Sequence, residues 1–212
     1  MRIKSLALAL TAFAGFVALG AYAARNGEPT ALLSWQEAIV GHSALVAWWL
    51  TWACYVQILV PVAVILLIAA WLAPAWRARI LFSIVALLLC WRGADLFQHV
   101  FARPRPLDWI VKHETAFSYP SSHAAVATGF YGLWAVMLYK SELPRAVRVA
   151  GGIALAGIAL AICWARLALG AHYVTDLLGG ALLAVALVSA ALAIVPVNLF
   201  PPAAGRLGAA AE

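Results

Sequence analysis

Charge is what this chain has least of. Of its 212 residues only 8 are Asp or Glu and 14 are Lys or Arg, together 10%. A typical soluble domain carries about 25% charged residues. So few charges cannot cover a water-facing surface, and a soluble globular domain is excluded. Cysteine is also scarce. Cys54, Cys90 and Cys163 all lie in apolar runs, and no pair has the spacing of a metal site or a disulfide framework. They read as small buried hydrophobes. The balance that remains is basic, with a net charge of +6 and a pI of about 9.6. Yet the Lys and Arg residues sit in short connections at the ends of apolar runs rather than on one soluble face. Nucleic acid is therefore excluded as a partner. Internal repeats are lacking too, and biased composition is confined to an Ala/Gly/Pro-rich tail at 201–212, expected to be disordered.

What fills the chain is apolar: 66% hydrophobic residues and a mean hydropathy of +0.97. About 20 mostly apolar residues cross the hydrocarbon core as a helix. Six segments qualify, at roughly 5–24, 44–72, 79–101, 122–139, 149–169 and 172–198. They are continuous Leu/Ala/Val runs rather than short alternating strands, so helices and not a barrel satisfy their backbone groups. The expectation is an all-α, six-transmembrane-helix bundle in one membrane-embedded domain over residues 1–200.

Basic residues orient it. With the N-terminus cytoplasmic, that side collects Arg2, Lys4, Arg77, Arg79, Lys140, Arg145, Arg148 and Arg206. The outer connections, 25–43 and 102–121, hold Arg25 and Lys112 beside the arginines of the polar clusters below. Both termini are thus expected to be cytoplasmic. Arg2, Lys4 and the Ala21-Tyr22-Ala23 triplet also fit a cleavable signal segment, although the apolar run is long for one. A short interfacial helix is expected over 29–41, with Trp35 at headgroup level.

Ionisable groups are costly inside a bilayer and mark functional sites. Here they fall into three clusters: Arg103-Pro104-Arg105-Pro106 after the third span, Pro120-Ser121-Ser122-His123 at the start of the fourth, and Arg166, His172 and Asp176 between the fifth and sixth. The topology brings all three to the outer end of the bundle, which implies one shared site. His172 and Asp176 are four residues apart, within mutual reach on one helix face. A carboxylate that fixes the imidazole tautomer leaves the other ring nitrogen free as a nucleophile; a purely structural ion pair is the alternative. Arg105, Arg166 and Arg103 offer planar forks that match phosphate oxygens. Prolines on both sides of Arg105 keep its segment extended. Ser121 and Ser122 open a helix whose N-terminus suits an anion. His123 in that first turn is placed to protonate a leaving oxygen. Together these parts make a phosphoryl-transfer site that needs no metal or other cofactor: three guanidinium groups beside His172 and Asp176 disfavour a bound cation.

These residues resemble the signature of the type-2 phosphatidic acid phosphatase superfamily, membrane lipid phosphatases related to vanadium haloperoxidases. Its parts are Lys, six residues, Arg-Pro; Pro-Ser-Gly-His; and Ser-Arg, five residues, His, three residues, Asp. Here they read Arg105-Pro106, Pro120-Ser121-Ser122-His123, and Ala165-Arg166 followed by His172 and Asp176. The resemblance implies a lipid phosphatase working through a phosphohistidine on His172. Asp176 is then its partner, His123 the general acid, and Arg105, Arg166 and the Ser121–Ser122 backbone the phosphate ligands. Family substrates include undecaprenyl diphosphate, phosphatidylglycerol phosphate, phosphatidate and lipid A phosphates. The implied location is a bacterial inner membrane with the site facing the periplasm. The chain departs from the signature at Gln98, Ser122 and Ala165, where the family has lysine, glycine and serine. Loss of the lysine removes a phosphate-binding charge, for which Arg103, Arg92 or Lys112 are candidates to compensate. Arg92 and Asp95, three apart, are expected to pair with each other. A lipid-to-lipid phosphotransferase and a non-catalytic phospholipid-binding protein are the other functions compatible with the same residues.

Overall fold

The computed structural model describes residues 2–107, 110, 115–195 and 199. Among these every regular element is helical. Helix α1 runs over Arg2–Asn26 and short α2 over Thr30–Glu37. Helix α3, Ala44–Thr51, continues as a 3-10 turn through Trp52–Cys54 into α4, Val56–Leu72. Then come α5, Arg77–Phe101; α6, Ser122–Val126; α7, Leu133–Tyr139; α8, Arg145–Ala168; and α9, Val174–Ile194. Helices α1, α5, α8 and α9 are each long and apolar enough to cross a membrane. The pair α3 and α4 makes a fifth such span if counted as one, bent by 45°. The predicted tail at 201–212, Lys112 and Arg206 lie outside the described residues.

Two of the expected spans are therefore not plain helices. The 44–72 segment breaks at Tyr55, which is extended (φ −82°, ψ 150°). The 122–139 segment is helical from end to end, but α6 and α7 are joined by a π-helical stretch, Ala127–Gly132. Such π turns are rare, short, and frequent at functional sites. Gly129 lies within this one because α5 crosses it closely: a Cβ there would stand 2.2 Å from Cys90 Sγ. A short helix forms as α2 within the expected 29–41 and leaves Trp35 52% exposed.

The side of α1 bearing Ala9, Ala12, Phe16, Gly20 and Ala23 is buried, and α1 lies along α9. The triplet read as a cleavage site is inside the helix, with Ala23 fully packed. An aromatic cluster ties one end of the bundle together. Phe16 stacks on Tyr119 at 5.5 Å and meets Phe97 and Phe101 edge-on at 5.0 and 5.5 Å. Such pairs contribute about 0.5–1.5 kcal/mol each beyond burial. The Tyr119 ring passes between two glycines, since a Cβ on Gly20 of α1 or Gly179 of α9 would come within 2.5 Å and 2.3 Å of it. Its hydroxyl donates to the Phe16 carbonyl at 2.6 Å. The loop before α6 is pinned by these contacts, and that loop carries part of the site.

Candidate active site

The first cluster begins where α5 stops. Ala102 adopts a left-handed conformation (φ 47°) that closes the helix, and the following prolines keep the chain extended. The Arg103 carbonyl accepts from Ser118 N at 2.8 Å, which clips the outgoing and returning arms of the loop together. Ser121 caps α6, its Oγ accepting from Ala124 N at 3.3 Å, and Ser121 N donates to the Asp176 carbonyl at 3.1 Å. That close approach depends on Gly180 in α9, where a Cβ would lie 2.5 Å from the Ser121 carbonyl oxygen.

His172 sits in the connection before α9 rather than on a helix face. Tyr173 is the N-cap of α9, and Asp176 reaches back from the first turn to accept from Tyr173 N at 2.8 Å. The spacing of four residues thus closes across a helix start, not along one. His172 Nδ1 lies 3.0 Å from the Ser118 carbonyl oxygen and 3.5 Å from Asp176 Oδ2. Its Nε2 lies 3.0 Å from Arg105 Nη1. A guanidinium only donates, so Nε2 is the unprotonated nitrogen and Nδ1 carries the proton. Both ends of the ring give the same tautomer. Gln36 of α2 donates to the His172 carbonyl at 3.0 Å and steadies the backbone.

Asp176 is fully buried and held from three sides. Ser118 Oγ donates to its Oδ2, alongside Tyr173 N, while Arg103 Nη1 donates to its Oδ1 at 2.6 Å. Arg105 is fixed by donating to the carbonyls of Ala116 at 2.7 Å and Ala171 at 3.0 Å.

A cavity of about 240 Å³ collects the predicted groups. Arg105, His123, His172, Gln98 and Ser122 all line it, joined by Asp95. His123 is buried, and its Nε2 has no hydrogen-bond partner among the described residues. Tyr55 packs edge-on against the His123 ring at 5.3 Å, and Cys54 Sγ reaches the His123 carbonyl at 3.8 Å. The helix break at Tyr55 is what brings these two residues to the cavity. Tyr55, Val56, Leu59 and Trp91 give the cavity an apolar wall between α4 and α5.

Gln98, at the position of the signature lysine, donates to the Pro120 carbonyl at 3.0 Å and to Ser122 Oγ at 3.1 Å. Ser122 in turn donates to Asp95 Oδ1 at 3.3 Å, and Asp95 pairs loosely with Arg92 at 3.9 Å. Arg166 is fully buried in the last turn of α8, within electrostatic reach of His123, and does not line the cavity. Nor does Arg103. Its amino groups face Asp176, Thr175 and Glu28 behind His172.

Ser118, Gln36, Thr175 and Glu28 also meet the site residues and belong to none of the three sequence clusters. Glu28 is one of only 8 acidic residues in the chain, and an acidic side chain beside a membrane span was a usable signal. Ser118, four residues before Ser122, carries none.

This combination of apolar helices and a polar cavity at one end of them defines a polytopic, all-helical membrane protein. Its family follows from comparison. The model of the PAP2 superfamily matches residues 78–200, more than half of the chain, and the protein belongs to that superfamily. It is 36% identical over 83 residues to phosphatidylglycerophosphatase B of Bacillus subtilis (strain 168), a match that spans 37% of this chain and 39% of that relative. Among solved structures it is similar to the transmembrane PAP2-type phosphatidylglycerolphosphate phosphatase from Bacillus subtilis. There the TM-score is 0.68 at 26% identity, over 88% of this chain and 94% of the other.

Proposed function

We propose that the protein is an integral membrane phosphatase that hydrolyses a lipid phosphate through a phosphohistidine at His172. The observation that carries this reading is the cavity in which His172 and His123 both stand, with Arg105 on the attacking nitrogen and the opposite nitrogen held by Ser118 and Asp176. His172 Nε2 attacks phosphorus, an N–P bond forms, and the bond from phosphorus to the lipid oxygen breaks. His123 gives its proton to that oxygen. A water then attacks phosphorus, with His123 as base, and the N–P bond breaks to release inorganic phosphate. Arg105 moves from Nε2 onto a phosphate oxygen, and with the Ser121–Ser122 backbone it stabilises the charge of the transition state, while Arg166, outside the cavity lining, adds its charge from within electrostatic reach of His123. In this scheme Arg103 acts behind His172 rather than on the phosphate.

The apolar wall between α4 and α5 supports a substrate whose tail stays in the bilayer while its headgroup enters the cavity. The relative named for phosphatidylglycerophosphate supports a glycerolipid monophosphate first; undecaprenyl diphosphate and phosphatidate are further candidates. The segment at 122–139 serves as the sixth span, both termini are cytoplasmic, and the site faces the periplasm of a bacterial inner membrane. Helix α1 stays in place as a structural span, because its buried side forms part of the bundle. The test is phosphate release from a panel of lipid phosphates by purified protein in detergent. His172→Ala is expected to abolish release while the protein remains folded and monodisperse. Undiminished turnover in that variant overturns the reading. Release with water as sole acceptor separates the hydrolase from a lipid-to-lipid transferase.

A further inference from the structure

We infer that Glu28, in the connection between α1 and α2, is a positioning residue for the phosphoryl-transfer step and keeps the charge of Asp176 effective on His172; this rests on the reading proposed above. The geometry is closed on all sides. Glu28 Oε2 accepts from Arg103 Nη2 at 3.1 Å and from the Thr175 hydroxyl, while Oε1 accepts from Thr175 N at 3.2 Å. Arg103 Nη1 donates to Thr175 Oγ1 at 2.7 Å and to Asp176 Oδ1 at 2.6 Å. The side chains of Glu28, Arg103 and Asp176 are 1%, 3% and 0% exposed. Arg103 also lies 4.2 Å above the Tyr173 ring.

The charges decide the role. Asp176 paired with Arg103 alone is a neutral unit, and a neutral unit does little for a neighbouring cation. Glu28 pairs with the other amino group of the same guanidinium, so the buried triad of two carboxylates and one guanidinium carries one net negative charge. When Nε2 forms its bond to phosphorus while Nδ1 keeps its proton, the ring of His172 becomes positive. That charge develops 3.5 Å from Asp176 Oδ2, at a site shielded from water, where a fixed negative charge is most effective. Glu28 also accepts a first-turn N–H of α9, which fixes the start of the helix that carries Asp176. Its contribution comes from outside residues 78–200, the stretch matched by the family model.

The experiment compares Glu28→Gln with Glu28→Asp in the full-length protein, with turnover taken per folded, monodisperse molecule. Glutamine keeps the shape and loses the charge; aspartate keeps the charge and shortens the side chain. The expected result is a kcat about tenfold lower in Glu28→Gln. KM and inhibition by inorganic phosphate stay within twofold, and less phosphoenzyme accumulates at steady state. Glu28→Asp is expected to be at least threefold more active than Glu28→Gln. The opposite order, or Glu28→Gln within twofold of wild type, overturns the inference. If Glu28→Gln does not fold, Glu28→Asp decides: a kcat within threefold of wild type supports the charge argument, and a tenfold loss overturns it. His172→Ala in parallel separates the two levels, because surviving activity there refutes the phosphatase mechanism itself rather than the role of Glu28.

Discussion

Ser118→Ala is the substitution whose effect follows most directly from the geometry. Ser118 reaches the site twice. Its carbonyl oxygen stands 3.0 Å from His172 Nδ1, and its hydroxyl donates to Asp176 Oδ2. Alanine keeps the carbonyl and deletes the hydroxyl, so the tautomer of His172 is preserved while Asp176 loses a donor. A hydrogen bond to a charged group contributes about 1.5–3 kcal/mol net. Expressed wholly in the transition state, that is a loss of about 13- to 160-fold in rate. Asp176 still accepts from Arg103 Nη1 at 2.6 Å and Tyr173 N at 2.8 Å. The expected fall in kcat is therefore at the lower end, about tenfold. KM should hardly change, since the hydroxyl is directed at Asp176 and Ser118 does not line the cavity. The assay is steady-state phosphate release from a lipid phosphate in detergent, set beside a thermal unfolding curve. A kcat within twofold of wild type, or a raised KM with kcat unchanged, refutes the assignment of Ser118 to the support of the nucleophile.

Other expectations follow from the same site. Gln98→Lys places a cation on the cavity wall beside Asp95 and should tighten inhibition by inorganic phosphate severalfold; an unchanged inhibition constant means the existing arginines already supply that interaction. Gly180→Ala should lower thermal stability by about 1–3 kcal/mol, because the added methyl meets the Ser121 carbonyl at 2.5 Å and must push α6 away; an unaltered melting temperature in detergent contradicts that packing. Activity should persist after dialysis against a chelator and be inhibited by vanadate, a mimic of pentacoordinate phosphorus; loss on chelation, restored by a divalent cation, rules out the arginine-based mechanism.

How far the residues alone predict this molecule depends on the range of the interaction. Span lengths come from runs of neighbouring residues, and the helices α1, α5, α8 and α9 appear where those runs lie. The motif residues were legible because each marks a helix end: Arg105 just past α5, Ser121 at the cap of α6, Arg166 in the last turn of α8 and His172 just before α9. The supports of the site carry no local mark of what they meet, because their partners are remote in the chain. Glu28 and Thr175 are 147 residues apart, and Gln36 and the His172 carbonyl 136 apart. The break at Tyr55 escaped for another reason. A continuous apolar run gives no sign of where the helix will yield, and Pro61, the breaker in that run, lies inside α4 and not at the bend. Arg103 shows the converse difficulty: its residue type suggests an anion ligand, and only packing shows that the anions it meets are carboxylates of the protein itself.

The position of Arg105 has a consequence for a protein surrounded by phosphate. The common phospholipids of a bilayer present a phosphodiester, with one negative charge and two ester arms shielding the phosphorus. The lone pair of His172 is capped by a guanidinium that two backbone carbonyls also hold. In the proposed mechanism a headgroup uncovers it by drawing that guanidinium away, which a dianionic monoester does better than a diester. On that reading the resting contact serves as a sieve, sparing diester lipids while admitting one that ends in a terminal phosphate.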